Sequence, residues 1–426
     1  MERAEPRAVD PTALIPLIRG LYINTRRYPL VVMPSPPGQT QIPPAALIID
    51  IAPARSEGTS LDTEYAAKIL QDAYTAWEFD RAPAGVEAAA RTEAGKKSPS
   101  CVVVKDADTV QGVYWIDRDF DAAKERMEAR NDALLTEKAP PPPAAFMSAH
   151  RADVVKNKIA LVTGGAQGIG EIIARSLAAS GALVFIADRN PEGAQALAVQ
   201  INAREKRTAA IPVAVDVADE ASVEALFKTL VTSAGGLDIC ISNAGVLKAA
   251  GVLEQPLEDF ALVTAVNYTG FFLIAKHAGV LLRAQHRTAP HWKTDIIQIN
   301  SKSGLEGSNK NGAYAGGKFG GIGLTESFAL ELADYNIKVN AICPGNFFEG
   351  PLWADPEKGL FVQYFRAGKV PGARHLSDVK AYYETKVPMK RGCTGPDVMR
   401  AIYYSIEQEY ETGQAVPVTG GQVRLH

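Results

Sequence analysis

A glycine-rich turn between an apolar strand and a helix constrains the fold of this chain more than any other feature. The run at residues 158–163 indicates a compact strand, and the sequence GGAQGIG follows it at once, from Gly164 to Gly170. A helical run at residues 171–179 comes next. Glycines let the backbone turn tightly and approach a pyrophosphate, whose charge is stabilised by the N–H groups at a helix start. The turn therefore predicts a nucleotide-binding α/β fold.

The segments after this turn predict a parallel sheet. Further strands are expected at residues 183–187, 211–215 and 237–241, and amphipathic helical runs alternate with them. This alternation is typical of a doubly wound sheet with helices on both faces and a ligand at the carboxyl ends of the strands. The predicted class is therefore α/β, with a Rossmann-type doubly wound parallel sheet.

The chain has 426 residues, which is too long for one ordinary domain. We expect an N-terminal module of unknown role at residues 1–138, a Pro-rich linker at 139–152 and the nucleotide-binding domain at 153–426. The prolines of the first forty-five residues are expected to exclude long helices there.

The rest of the N-terminal module has the pattern of a small α/β or irregular unit. Its role stays open between a regulatory or partner-binding module and a remnant that packs on the second domain. The expected elements are an apolar run at residues 45–51, a helix at 61–79, β-rich runs at 101–105 and 112–116, and a charged helix at 120–138.

Composition excludes several classes of partner. A formal net charge of -3 gives no reason to expect nucleic acid or an anionic membrane. The four cysteines form no C-x-x-C pair and no metal spacing, which favours reduced thiols in a cytoplasmic protein without a metal site. No apolar run reaches the length of a membrane span, and the first residues lack the pattern of a signal peptide.

The ends of the predicted strands carry polar residues suited to a dinucleotide. The carboxylate of Asp188, at the end of the second strand, would bind a ribose 2′-hydroxyl and repel a 2′-phosphate, which favours NAD over NADP. Arg189 beside it could instead accept that phosphate. The third and fourth strands end in Asp216, Val217, Asn243, Ala244 and Gly245, which are further candidate contacts or ordinary turn residues.

A serine, a tyrosine and a lysine form the candidate catalytic group. Ser301 follows an apolar strand, and Tyr314 and Lys318 are four residues apart, so they share one face of a helix. A nearby ammonium group stabilises a phenolate, so we expect the pKa of Tyr314 to fall toward neutrality. Asn267 lies in an apolar helical stretch, where a buried amide needs partners. It fits either a helix-bending role or a place in a proton path.

These motifs in this order resemble the short-chain dehydrogenase/reductase family over roughly residues 155–426. The resemblance implies Tyr314 as catalytic acid and base, Lys318 on the nicotinamide ribose, Ser301 on the reacting oxygen, and Asn267 in a water relay to Lys318. It also implies a homodimer or homotetramer. The cofactor-binding residues it implies are Thr163, Gly164, Gln167, Gly168, Ile169, Gly170, Asp188, Arg189, Asp216, Val217, Asn243, Ala244, Gly245, Tyr314, Lys318, Pro344 and Gly345.

A narrower resemblance is to family members that oxidise a sugar alcohol phosphate with NAD. It is carried by the runs IIQINSKSG, GNFFEGPLW, KVPMKRGC and TGQAVPVTGGQV. Basic residues are dense around residues 346–391, which fits either phosphate binding or a solvated basic face. The candidate substrate-binding residues are Ser301, Lys302, Ser303, Asn346, Lys390 and Arg391.

Two other functions fit the same sequence. One is oxidation of an unphosphorylated polyol or another secondary alcohol. The other is an NAD-binding scaffold or regulator that uses the N-terminal module to bind a partner.

Overall fold

The computed structural model describes residues 11–26, 31–34, 47–50, 66–70, 101–106, 109–117, 121, 151–357, 359–366 and 370–424. Short 3₁₀ turns lie at Arg151–Val155, Lys302–Gly304 and Ala333–Tyr335. In chain order the helices and strands are α1 (Pro11–Arg26), β1 (Val31–Pro34), β2 (Leu47–Asp50), β3 (Cys101–Asp106), β4 (Thr109–Asp117), β5 (Ile159–Thr163), α2 (Gly168–Ala179), β6 (Leu183–Asp188), α3 (Pro191–Glu205), β7 (Ala210–Ala214), α4 (Glu220–Ala234), β8 (Ile239–Ser242), α5 (Leu257–Thr264), α6 (Gly270–His286), β9 (Thr294–Ile299), α7 (Gly312–Leu332), β10 (Ile337–Pro344), α8 (Pro351–Ala354), α9 (Leu360–Arg366), α10 (Leu376–Thr385), α11 (Gly395–Glu407) and β11 (Ala415–Val418).

The second part of the chain folds around a seven-stranded parallel sheet in the order β11-β10-β9-β8-β5-β6-β7. This confirms the predicted doubly wound class. The order reverses between β5 and β8, and such a switch point opens a crevice at the carboxyl ends of the two strands.

Helices cover both faces of this sheet, so its strands are apolar almost throughout. Side chains alternate between the faces: in β5, Leu161 joins one core cluster, whereas Ala160 and Val162 join the other. The first cluster includes residues of α1, α4 and α6, and the second includes residues of α2, α3 and α11. All five residues of β5 and all eight of β10 are buried. Such continuous burial is typical of parallel sheets.

The N-terminal module contains a second sheet in the order β1-β4-β3-β2. β4 pairs antiparallel with β1 and β3, whereas β2 pairs parallel with β3. The predicted helix at 61–79 is described only at residues 66–70, which are helical. Of the predicted helix at 120–138 and linker at 139–152, only residues 121 and 151–152 lie within the described part of the chain.

The prediction that prolines exclude long helices from the first forty-five residues is wrong, because α1 extends over 16 residues. Its last residue, Arg26, precedes the proline-rich stretch that begins at Pro29. Pro11 occupies the first helical position, where an N–H group would have no partner within the helix. Pro16 lies inside the helix and lowers its stability. That cost is offset by complete burial of Leu14, Ile15, Leu17 and Ile18.

Helix α1 lies directly on the nucleotide-binding domain, against α4 and α6. A side chain at Gly20 would collide with the Gln285 carbonyl oxygen and the Thr288 hydroxyl, so only glycine permits this approach. Thr288 also donates a hydrogen bond to the Leu17 carbonyl oxygen over 2.7 Å. Helix α1 is therefore part of the core of the sheet domain.

A buried ion pair reinforces this attachment. Arg19 donates hydrogen bonds of 3.1 and 2.7 Å to the carboxylate of Asp238, and both side chains have 0% exposure. The same carboxylate accepts hydrogen bonds from the backbone N–H of Ile159 at 2.7 Å and from the indole of Trp292 at 3.0 Å. Each oxygen of Asp238 therefore has partners, which a buried charge requires.

The stretch Leu257–His286 comprises α5, a π-turn and α6, and it is long and apolar enough to span a membrane by length and composition. Ile274, Ala278 and Leu282 on this stretch are buried in the core cluster beneath the sheet. We therefore interpret it as a core helix of the sheet domain.

We predict that Arg19→Met lowers the free energy of unfolding by about 3–5 kcal/mol, because it leaves a buried carboxylate without its counter-ion. Chemical denaturation of the full chain would measure the change. Arg204→Met is the matched control, since Arg204 is 69% exposed and pairs only loosely with Glu205 at 3.6 Å. Equal stabilities of the two variants would contradict the prediction.

Candidate active site

A cleft of about 830 Å³ opens at the carboxyl ends of β5 and β8. Within the part of the chain that the structure describes, its lining begins at Gly164 and includes no residue of the N-terminal module. Most of the residues predicted from the sequence line this cleft: Gly164, Gln167, Gly168, Ile169, Gly170, Asp188, Arg189, Asp216, Val217, Asn243, Ala244, Gly245, Ser301, Lys302, Ser303, Tyr314, Pro344, Gly345 and Asn346.

Helix α2 begins within the glycine turn and points its first N–H groups toward the cleft end of the sheet. Gly164 and Gly168 have φ angles of +60° and +59°, a conformation that disfavours other residues. Gln167, which precedes the helix, makes no side-chain capping hydrogen bond. A side chain at Gly170 would collide with the Gly164 carbonyl oxygen. The turn therefore fits a pyrophosphate, which binds to uncapped N–H groups at such a position.

Thr163 and Asn243 hold the two strand ends together behind this turn. The buried Thr163 hydroxyl accepts a hydrogen bond from the backbone N–H of Asn243 at 3.0 Å. The Asn243 side chain donates to the carbonyl oxygens of Thr163 and Gly164 at 3.0 and 2.9 Å. Thr163 thus lies behind the cleft wall and fixes its shape.

Asp188 is placed where a ribose would lie next to the glycine turn. Its carboxylate accepts backbone hydrogen bonds from Ala166 and Asn190, both at 2.9 Å. Asn190 also caps α3 through a hydrogen bond that its side chain accepts from the backbone N–H of Gly193. Arg189 is 78% exposed, and its guanidinium lies 3.7 Å from the carboxylate of Asp216. The negative charge of Asp188 is therefore fixed in position, whereas Arg189 extends toward solvent.

Ser301 and Tyr314, two of the candidate catalytic residues, both line the cleft. Ser301 follows β9, and its hydroxyl accepts a hydrogen bond from the backbone N–H of Ser303 at 3.1 Å. A further hydrogen bond joins the Ser301 and Tyr314 side chains. Ser303 is buried and also lines the cleft, but the bond to the tyrosine is made by Ser301.

Lys318 lies one helical turn below Tyr314. Its ammonium group is 5.6 Å from the centre of the Tyr314 ring and donates a hydrogen bond of 2.8 Å to the Ile299 carbonyl oxygen. The residue is only 4% exposed, and burial lowers its pKa to about 8. The phenol of Tyr314 and the ammonium group of Lys318 therefore lie close together, as the sequence predicts.

The pKa of Tyr314 shifts in the opposite direction to the sequence-based expectation. Burial raises it, and the hydrogen bond with Ser301 opposes that rise. The loss of hydration of a phenolate in this site outweighs the stabilising groups around it. The protein alone therefore holds Tyr314 as the neutral phenol, the form that donates a proton.

Asn267 occupies a π-turn, Ala265–Thr269, that joins α5 to α6. The amide is buried and bonds both backbone groups of Val246, with N···O distances of 2.8 Å in each case. A side chain at Gly245 would come within 3.3 Å of the Asn267 oxygen and 3.9 Å of the Lys318 nitrogen, so the two groups are close. The geometry supports the helix-distorting role, and the proton path stays a prediction. Such turns are frequent at functional sites.

The predicted basic residues separate into two places. Lys302 lines the cleft, whereas Lys390 and Arg391 are absent from its described lining. Lys390 donates to the Thr385 carbonyl oxygen at 3.1 Å, and Arg391 pairs closely with Asp397. That pairing is the largest cause that lowers the pKa of Asp397.

The lining residues that the sequence analysis missed include Lys310, Trp353, Tyr364 and Tyr383. Lys310 lies just before α7 with a φ angle of +55°, which is uncommon for a residue with a side chain. The aromatic richness of residues 347–383 was a signal for the other three. Among the described residues, no group of His, Cys, Asp or Glu is suited to a metal ion.

The chain is similar to known proteins of one family. The short chain dehydrogenase family matches residues 158–354. Sorbitol-6-phosphate 2-dehydrogenase of Escherichia coli (strain K12) is 38% identical over 270 residues, which cover 63% of this chain and 99% of that enzyme.

Solved structures show the same likeness. The crystal structure of sorbitol-6-phosphate 2-dehydrogenase SrlD from Erwinia amylovora is 39% identical, with a TM-score of 0.58 over 62% of this chain and 100% of that one. An actinorhodin polyketide ketoreductase variant solved with NADPH is 28% identical, with a TM-score of 0.55 over 62% and 97%. The chain therefore belongs to the short-chain dehydrogenase family.

Proposed function

We propose that this protein is a NAD-dependent dehydrogenase that interconverts sorbitol 6-phosphate and fructose 6-phosphate. The observation that carries the oxidoreductase assignment is the grouping of Ser301, Tyr314 and Lys318 in a cleft that begins at a glycine turn. The substrate is supported by the likeness to sorbitol-6-phosphate 2-dehydrogenases and by the cations of the cleft.

In the proposed reaction, different residues of the cleft would bind the cofactor, hold the substrate and transfer the proton. A bound nicotinamide dinucleotide would exchange a hydride with C2 of the substrate. The uncapped start of α2 would hold its pyrophosphate, and Asp188 its ribose. Ser301 would hold the reacting oxygen, and Tyr314 would take the hydroxyl proton during oxidation or return it during reduction. Lys318 would keep a positive charge beneath the phenol.

We predict that Tyr314→Phe lowers kcat/KM by a factor of roughly 10²–10⁴, because the proton donor and acceptor is removed. Initial rates in both directions would measure this, and quenching of protein fluorescence by NADH would show that cofactor binding persists. Tyr410→Phe is the control, since that side chain is 99% exposed. Normal turnover by Tyr314→Phe would refute the catalytic assignment and favour a binding role alone.

Two lysines of the cleft support recognition of a phosphate. Lys302 and Lys310 both line it, and neither ammonium group forms an ion pair with another described residue. Lys302 is adjacent to Ser301, and Lys310 precedes the helix that carries Tyr314. Charge-assisted hydrogen bonds from such groups are among the stronger contacts to phosphate oxygens.

We predict that Lys302→Ala lowers kcat/KM for sorbitol 6-phosphate roughly 10- to 100-fold, because a charged hydrogen bond to the phosphate is lost. The value for sorbitol should change little. Initial rates with both substrates would measure the difference, with Lys228→Ala on the exposed face of α4 as control. Equal specificity constants of the unaltered protein for the two substrates would rule out phosphate recognition and favour an unphosphorylated polyol.

The preference for NAD rests on Asp188. Its carboxylate is held by two backbone N–H groups beside the glycine turn, where it would repel a 2′-phosphate. The relative solved with NADPH shows that the family also uses the phosphorylated cofactor.

We predict that Asp188→Asn lowers the ratio of kcat/KM for NAD to kcat/KM for NADP roughly tenfold. The variant removes the repulsion between the carboxylate and the 2′-phosphate of NADP and keeps the shape of the side chain. Steady-state rates with both cofactors would test this. Asp334→Asn serves as control, because Asp334 lies on an exposed turn at the amino end of β10 and does not line the cleft. A preference of the unaltered protein for NADP would contradict the assignment.

We also propose a cytoplasmic homodimer or homotetramer. Helices α6 and α7 flank the sheet and expose large apolar side chains, and exposed apolar surface of this kind favours association. These side chains are Phe272, Val280, Phe319 and Leu330.

A further inference from the structure

The segment after β10 builds a small aromatic core of its own over the cleft. Residues 346–386 form α8, α9 and α10. Their buried side chains make a cluster separate from those on the two faces of the sheet: Phe348, Trp353, Leu360, Phe361, Val370 and Val379. Because this cluster packs independently, the segment presents its rings to the cleft from a fixed support.

Trp353 is the centre of the cluster. Its ring lies 4.9 Å from that of Phe348 and 5.1 Å from that of Phe361, on the buried side. On the other side it lies 5.2 Å from Tyr383 and 5.9 Å from Tyr364. These centroid distances and tilted arrangements are typical of stable aromatic pairs. The tryptophan therefore fixes both tyrosines.

Tyr364 and Tyr383 form the surface that faces the cleft. Their ring centres are 5.2 Å apart with an angle of 31° between the planes. Both are half-buried, and both line the cleft that contains Ser301 and Tyr314. We refer to Trp353, Tyr364 and Tyr383 as the aromatic wall. Tyr382 packs on Tyr383 at 5.5 Å but does not belong to the cleft lining among the described residues.

The wall offers two kinds of contact at once. Ring faces bind C–H groups, and phenol hydroxyls donate and accept hydrogen bonds. Burial raises the pKa of Tyr364, and it raises the pKa of Tyr383 to about 12. Both phenols therefore stay protonated at physiological pH. A substrate that alternates C–H and O–H groups along a chain matches this combination, whereas a purely apolar alcohol would use only the rings.

We propose that the aromatic wall selects a polyhydroxylated carbon chain, with the Tyr364 and Tyr383 hydroxyls bonded to substrate hydroxyls away from the reacting carbon. This inference rests on the proposed function and extends it to the specificity of the same site. Tyr364 and Tyr383 act as specificity-determining residues, and Trp353 acts by positioning them.

Binding can be measured separately from turnover to test the wall. Tyr364→Phe and Tyr383→Phe keep the rings and remove the hydroxyls, and Tyr382→Phe is the matched control on the neighbouring ring. Each would be placed in a Tyr314→Phe background, and sorbitol 6-phosphate and sorbitol would be titrated by calorimetry in the presence of NAD. The single variants should weaken binding of both polyols roughly fivefold to tenfold, as expected for one lost hydrogen bond, and the control should not.

The same three variants in the otherwise unaltered protein give a second readout. The ratio of kcat/KM for sorbitol to kcat/KM for cyclohexanol, which has no further hydroxyls, should fall in Tyr364→Phe and in Tyr383→Phe and stay unchanged in the control Tyr382→Phe. The proposal for the aromatic wall would be overturned if Tyr364→Phe and Tyr383→Phe left the binding of both polyols unchanged. It would also be overturned if neither polyol bound at all. A third outcome separates the two proposals. If polyol binding weakens as expected but the unaltered protein does not turn over either polyol, the aromatic wall is supported and the proposed dehydrogenase activity is refuted.

Discussion

A parallel sheet covered on both faces accepts a charged side chain in its interior only with a partner, as with Lys338 and Asp295 at 2.9 Å. Polar side chains that are to meet a ligand therefore lie at the strand ends, and the site of this protein depends on that constraint. The interiors of β5 and β10 are fully buried, so their backbone groups are satisfied within the sheet. Asp188 is the last residue of β6, and Asn243 and Ser301 lie just beyond the ends of β8 and β9. Hydrogen bonds from Thr163 and Asn243 then fix the distance between β5 and β8 at the point where the crevice opens.

The catalytic group shows a conflict between burial and charge. Lys318 donates to a carbonyl oxygen in a nearly closed environment, where an ammonium group loses most of its hydration. The depressed pKa means that the folded state disfavours the charged form, so at neutral pH the charged lysine lowers the stability of the fold. Within this pair only Lys318 lowers the stability in this way, because Tyr314 beside it stays neutral and keeps no buried charge. Strain of this kind is common where a site must hold a charge ready for use.

Features local in sequence were predictable, and features that depend on distant contacts were not. The glycine turn, the strand ends and the Tyr314–Lys318 spacing each follow from a few adjacent residues. Helix α1 was missed because its stability comes from packing on α4 and α6, which outweighs the effect of Pro16. The pKa direction of Tyr314 was also wrong, because proximity to a lysine can be read from spacing but loss of hydration cannot.

At the proposed substrate end of the cleft, the sequence likewise could not show which residues lie together. Lys302 and Lys390 are both basic residues in suggestive sequence runs, but only Lys302 lines the cleft. The three residues of the aromatic wall come from α8, α9 and α10, and only their tertiary contacts bring them to one surface.

The Arg19–Asp238 pair has a consequence for the order of events during synthesis. The two residues are 219 positions apart, so α1 leaves the ribosome long before the carboxylate that neutralises its arginine. Helix α4 has been made by residue 234, but the apolar face of α1 lacks α6 to cover it until residue 286 has been made. Helix α1 therefore reaches its final packing only after α6 exists, when most of the chain has been made.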